Sequence, residues 1–398
     1  MNKTMDIQSN HTPMKYFLIL CAIVLSNVTL PRLTAQFIVM TTDADSLVIA
    51  GSSHIYNIQF EKAHTCFSKV IDKYPTNPAG YFLDAMVEWW RIRTNKKSKE
   101  LDEKFLDKIE QCLAVCNELL EQDENSITGL FFKAGALGFR ARLYSERESW
   151  FDAASDGKEA MDLLQQCQTL APNNHDILLG TGLYNYFAPT FAEQYPIIQP
   201  ILAFLPRGDK KLGILQLNSA VKYARYAGTE AKVILMQIYY QFEKTPQYAY
   251  QLAQELTKSY PDNPYFQKYL GRCQIQLGLN AEAEATWRDV VNKCIAKKQG
   301  YDQQTAREAL YYVGKALMNR QDFDMALRYF YKCDEAGRFL DEDVSGFTIQ
   351  VNLQIGKIYD MQSKRNLAIK QYDKVLSWED KQGSHAEAQR YKEKPYSR

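Results

Sequence analysis

The chain has 398 residues, 46% of them hydrophobic and 24% charged, with 19 Gly and 13 Pro. That balance provides for a sizeable ordered core and excludes a disordered or low-complexity chain. Its 48 Lys and Arg nearly cancel its 47 Asp and Glu, so there is no global field for nucleic acid or for an anionic membrane.

Residues 1–35 read as an export signal. Met14-Lys15 supplies a basic start to the apolar run Tyr16–Leu30, and Leu33-Thr34-Ala35 offers a small residue for cleavage before Gln36. The run is short for a membrane span and carries Asn27 and Thr29, so no integral span is expected after cleavage. An uncleaved amino-terminal anchor is the alternative. Export to the periplasm, the cell envelope or the medium follows from the signal.

Beyond it the chain reads as pairs of helices. Ala44–Asn77 makes the first pair. Pro78–Trp90 opens a second, separated by the charged stretch Thr94–Lys104 from its partner Phe105–Gln122. Thr128–Arg142 opens a third, whose partner Ser155–Leu170 is expected after an insertion around Ser145–Ala153. In the fourth, His175–Phe187 precedes a segment holding Pro189, Pro196, Pro200 and Pro206, which a single long helix cannot contain. Lys210–Ala224 then supplies the fourth partner helix. Four further pairs follow from Glu230 to Asp380, and the charged tail 381–398, without apolar spacing, is expected to fray. No stretch alternates with strand period.

Within these pairs a small-residue and aromatic pattern recurs about every 34 residues. Gly51, Ala63 and Phe67 share one spacing with Gly271, Ala283 and Trp287, with Gly314, Ala326 and Phe330, and with Gly356, Ala368 and Tyr372. Small residues at fixed points let two helices cross closely, and the aromatic fills the gap beside them. The pattern resembles the tetratricopeptide repeat. On that template, Glu230–Asn263 places Val233, Met236, Gln237 and Tyr240 in its first helix and Ala249, Ala253, Leu256 and Pro261 in or just past its second. The last unit places Ile355, Gly356, Tyr359, Ala368, Tyr372 and Val375. The resemblance implies an all-α solenoid, a right-handed superhelix of about eight pairs, in an amino-terminal array (36–229) and a carboxyl-terminal one (230–380). A narrower segment, 182–243, with Leu205-Pro-Arg-Gly-Asp-Lys at its centre, is similar to the inclusion-body clearance family of repeat proteins.

Catalytic chemistry finds no purchase. His11, His54, His64, His175 and His385 form no metal-ligand spacing, and neither a Gly-x-Ser-x-Gly elbow nor a phosphate loop occurs. Gly180-Thr-Gly182 lacks the third glycine of a dinucleotide turn. No enzyme, cofactor or metal is expected. Of 8 cysteines, Cys21 leaves with the signal and the others fall mostly at packing positions, as free core thiols.

The resemblance also implies a concave groove lined by the first helix of each pair. Its amino-terminal half takes Phe82, Met86, Trp89, Trp90, Phe132, Phe139, Tyr186, Phe187 and Phe242. Such an apolar trough needs a cover, and the Pro189–Pro206 segment, with Phe191, Tyr195, Ile197, Ile198, Ile201, Leu202 and Phe204, is expected to fold back over it. The carboxyl-terminal half takes Lys268, Arg272, Tyr311, Lys315, Asn319 and Lys357, similar in character to the carboxylate clamps of some tetratricopeptide domains. The expected role is a non-catalytic scaffold holding a protein or peptide partner, an acidic one in the basic half. The alternative is a carrier of an apolar small molecule or lipid in the aromatic half.

Overall fold

The structure, a computed structural model, describes residues 42–95, 98–195, 199 and 206–397. The export signal, and residues 196–198 and 200–205 of the proline-rich segment, lie outside them. The described residues form seventeen α-helices. Sixteen make eight pairs: α1 (Thr42–Tyr56) with α2 (Phe60–Lys73), α3 (Pro78–Thr94) with α4 (Lys99–Gln122), α5 (Ile127–Glu146) with α6 (Trp150–Leu170), and α7 (Ile177–Gln194) with α8 (Lys210–Tyr223). Then come α9 (Gly228–Gln237) with α10 (Pro246–Ser259), α11 (Pro264–Gln276) with α12 (Asn280–Ile295), α13 (Gln303–Asn319) with α14 (Phe323–Leu340), and α15 (Gly346–Met361) with α16 (Arg365–Leu376). The tail does not fray: it forms α17 (Ser384–Glu393), whose Ala388 is fully buried against the last pair.

Local chemistry starts these helices. Asn77, Ser126, Asp209, Asn263 and Asp302 each accept a backbone N–H from the first turn that follows. Pro78, Pro246 and Pro264 occupy first positions, where no N–H is needed. Two expected interruptions are shorter than the sequence suggests. Of Ser145–Ala153 only 147–149 lies between α5 and α6, and the charged residues from Lys99 to Lys104 lie within α4. Pro189 sits inside α7. Its missing N–H leaves the Asn185 carbonyl without a helical donor, and Gly208 packs there: a Cβ on it would lie 2.7 Å from both that oxygen and the Pro189 ring.

Within a pair, the glycine and aromatic register acts through contact. A Cβ at Gly51, Gly271, Gly314 or Gly356 would meet Phe67, Trp287, Phe330 or Tyr372 at 2.5–2.7 Å. Six pairs turn from first to second helix through a middle residue with positive φ: Ile58, Glu148, Lys244, Gly278, Gln321 and Ser363. Only one of these is glycine.

The array closes on itself. One apolar cluster runs from Ile55 in α1 to Tyr269 in α11. Tyr56 packs edge-on against Trp90 at 5.3 Å and tilted against Tyr260 at 5.2 Å, and Trp90 meets Phe266 at 5.6 Å. Asn263, with no exposed surface, donates to the Tyr56 carbonyl at 2.9 Å. Asp45 of α1 takes the Arg225 guanidinium at 2.6 and 3.1 Å and the Tyr226 hydroxyl at 2.5 Å. Buried Asp176 holds the same loop by accepting the backbone N–H groups of Arg225, Tyr226 and Ala227. The first pair is thereby clasped to the fifth and sixth.

Candidate functional site

This closure creates a cavity of about 670 Å³ lined by residues of α1, α3, α5, α6, α7, α9 and the turn after α9. That volume lies in the range of small-molecule sites. Of the nine residues expected for the apolar half of the groove, Phe82, Met86, Trp90, Phe132, Phe139, Phe187 and Phe242 line it. Phe82 touches Phe132 and Phe139 at ring distances of 5.6 and 5.9 Å, and Phe187 touches Phe242 at 5.4 Å. Phe242 belongs to Ile238–Phe242, a π-helical turn continuing α9. Trp89 and Tyr186 do not line the cavity. Trp89 is buried between Phe105 and Phe139, where α3, α4 and α5 meet. Tyr186 is buried at the crossing of α7 with α8, its hydroxyl donating to Glu243 at 2.6 Å. Of the segment expected as a cover, Phe191 and Tyr195 line the cavity and pack on Trp150 at 6.3 and 4.7 Å.

Polar groups gather at one place in this wall. Arg93, only 7% exposed, pairs with Glu146 at 2.6 Å and donates to the Tyr265 hydroxyl at 3.1 Å. Arg142 lies over the Trp89 ring at 4.9 Å and donates from Nη2 to Gln237 at 3.0 Å. Its Nη1 lies 3.7 Å from Glu230 Oε1 and makes no hydrogen bond. Burial pushes the Glu230 carboxyl up against the pull of Arg142 and Arg93. Burial, and then Arg93, pull the Arg142 guanidinium down, although arginine stays charged at any physiological pH. No sequence motif marks these residues, yet a signal existed. Arg93 continues the inner stripe Phe82–Met86 by two turns, and Arg142 follows Phe139 by one.

The carboxyl-terminal set falls on successive first helices, but its charges are largely committed within the chain. Arg272 forms a two-pronged pair with buried Glu308 at 2.6 and 2.7 Å. Lys357 pairs with Glu387 of α17 at 2.5 Å and lies against the rings of Tyr391 and Tyr396. Lys268 reaches the Thr305 hydroxyl at 3.4 Å, and burial pulls its ammonium down. Tyr311 is buried, with the Lys315 ammonium 5.8 Å from its ring centre. Burial and then Lys357 pull that ammonium down as well. Asn319 already has a contact within the chain. The tail expected to fray therefore occupies the place in front of Lys357.

Eight stacked helix pairs, four of them in one glycine and aromatic register, define a tetratricopeptide-like helical-repeat fold. Among solved structures, the chain is similar to YrrB, a TPR protein with an unusual peptide-binding site, at 13% identity over 70% of this chain and 97% of that one, with a TM-score of 0.31. A tetratricopeptide repeat protein from Parabacteroides merdae matches at 13% identity over 78% and 99%, with a TM-score of 0.32. The human IFIT1 dimer with PPP-AAAA matches at 13% identity over 81% and 69%, with a TM-score of 0.40. No family model and no curated protein matches the chain. Among the described residues no helix is long and apolar enough to cross a membrane, and no group of three or more His, Cys, Asp or Glu is placed to hold a metal.

Proposed function

We propose that the chain is a non-catalytic, exported scaffold that holds a protein partner through the inside of its closed array, with an apolar segment of the partner entering the cavity. The observation that carries this reading is the aromatic wall formed by Phe82, Phe132, Phe139, Phe187 and Phe242 around one cavity. A surface of that kind is stabilised by covering it. The apolar run after Met14-Lys15 supports export, and the lack of nucleophile, metal or phosphate motifs in the sequence supports a binding role. Native mass spectrometry of the protein drawn from its own source, wild type beside Phe132→Asp, tests the proposal. A peptide or protein adduct that disappears in the variant supports it. An adduct that survives a charge placed in the cavity wall moves binding elsewhere and refutes it.

A second reading, a carrier of an apolar small molecule, is favoured by the cavity's volume and by its lining from several helices rather than from one open face. It expects an adduct of lipid mass in the same experiment.

A further inference from the structure

Arg142 keeps donor capacity that the fold does not use. Its Nη2 is bonded to Gln237, but its Nη1 is buried without a hydrogen bond, and Glu230 lies beyond bonding distance at 3.7 Å. An unmade bond at a buried charged donor is costly, and a ligand acceptor placed there removes that cost. Arg93 is not available for the task, being held by Glu146 and Tyr265. The Trp89 ring lies beneath the Arg142 guanidinium and packs on Phe139 at 5.5 Å, and Arg142 and Phe139 both line the cavity.

We propose that the cavity takes a long-chain alkyl carboxylic acid, its carboxylate on Arg142 and its chain against Phe82, Phe132, Phe139 and Phe187. The proposal rests on the carrier reading above and deepens it. Three features select this class. A planar carboxylate matches a planar guanidinium. A carboxylate brings one negative charge to a cluster where Glu146 and Glu230 already offset two arginines, and a phosphate dianion would bring two. An alkyl chain carries no polar groups and so leaves none without partners against these rings.

The test compares dodecanoic acid with dodecan-1-ol on delipidated full-length protein by isothermal titration, in wild type and in Arg142→Gln, with circular dichroism to verify folding. The acid should bind wild type about tenfold to a hundredfold more tightly than the alcohol, as expected for a hydrogen bond to a charged group. Arg142→Gln should abolish that preference while holding the alcohol's affinity within about twofold, since its chain contacts are unchanged. Because the ratio is read within one protein, a modest loss of stability does not confound it. Equal binding of acid and alcohol by wild type, or a preference that survives in Arg142→Gln, overturns the assignment of the head group and leaves the carrier reading standing. Failure of folded wild type to bind either ligand overturns both.

Discussion

The closure of the array can be broken at one side chain. Asn263 has no exposed surface and makes two bonds: its Oδ1 accepts the Tyr265 N–H at 2.9 Å, capping α11, and its Nδ2 donates to the Tyr56 carbonyl at 2.9 Å. Asn263→Ala removes the cap, at about 1 kcal/mol, and leaves a buried carbonyl without its donor, at about 1–3 kcal/mol. The sum is about 2–4 kcal/mol, most of it lodged at the seam between α1 and α11. Asn263→Asp separates the two parts, because a carboxylate still caps the helix but turns an acceptor toward the Tyr56 carbonyl. Stacked repeats open locally rather than all at once, so the informative assay is hydrogen exchange followed peptide by peptide. Protection of α1 and α2 should fall about 5-fold to 150-fold in Asn263→Ala, the range that the 1–3 kcal/mol at the seam implies. Protection of α13–α16 should change little. Asn263→Asp should reproduce the loss in α1 and α2 while sparing the first turn of α11. Unchanged protection in the first pair, or loss spread evenly over the chain, would refute the claim that this residue holds the seam.

The repeat register gives a paired test by urea unfolding: Gly356→Ala, whose new methyl would lie 2.5 Å from the Tyr372 ring, should cost about 1–3 kcal/mol, whereas Gly138→Ala, with nothing within 4 Å, should gain up to about 1 kcal/mol. Gln321, exposed and at φ 64°, should become up to about 1 kcal/mol more stable as Gln321→Gly, because the left-handed strain outweighs glycine's extra entropy. Asp84, and then Glu88, hold the His64 imidazolium up to about 9. Its folded value lies above the ordinary 6.5, so the stabilisation is complete below about pH 6.5 and is lost as pH rises through about 9. Unfolding midpoints from pH 6 to 10 should show that decline in wild type and a flatter profile in His64→Gln. Arg272→Met leaves Glu308 buried and unpaired and should cost about 3–5 kcal/mol, toward the lower figure because Arg272 is 26% exposed. Adding Glu308→Met should recover most of that loss in a thermal melt.

What could be seen in the sequence depended on how far apart the interacting residues lie. Gly271 and Trp287 face each other across one helix pair, and a fixed spacing within a pair repeats wherever the pair repeats, so the register and the eight pairs were legible. The turns were less so. Ile58, Glu148, Lys244, Gln321 and Ser363 occupy the place that Gly278 holds, but a residue that tolerates positive φ under strain carries no compositional mark. The length of α5 and α6 was missed for a related reason: Ser145–Ala153 is polar and looked like a loop, although most of it lies within helix.

The site was half legible, and the division follows from what makes a groove into a cavity. Inner-face positions are set by helical period, so most of the aromatic wall could be placed residue by residue. Whether the first pair of an array meets its fifth and sixth depends on the accumulated rotation of several pairs, which no local spacing records. Contacts such as Tyr56 with Glu230 and Asp45 with Arg225 join helices far apart in the chain. Those same contacts decide the electrostatics. In an open groove Arg142 and Glu230 would face water, which would satisfy every donor and acceptor between them. Once the seam closes, water is a poorer partner, Glu230 is desolvated, and Arg142 is left with an unfilled donor beside a wall of rings. The unmet polar demand and the apolar wall are consequences of one closure, and a ligand with both an acid group and a hydrocarbon chain answers them together.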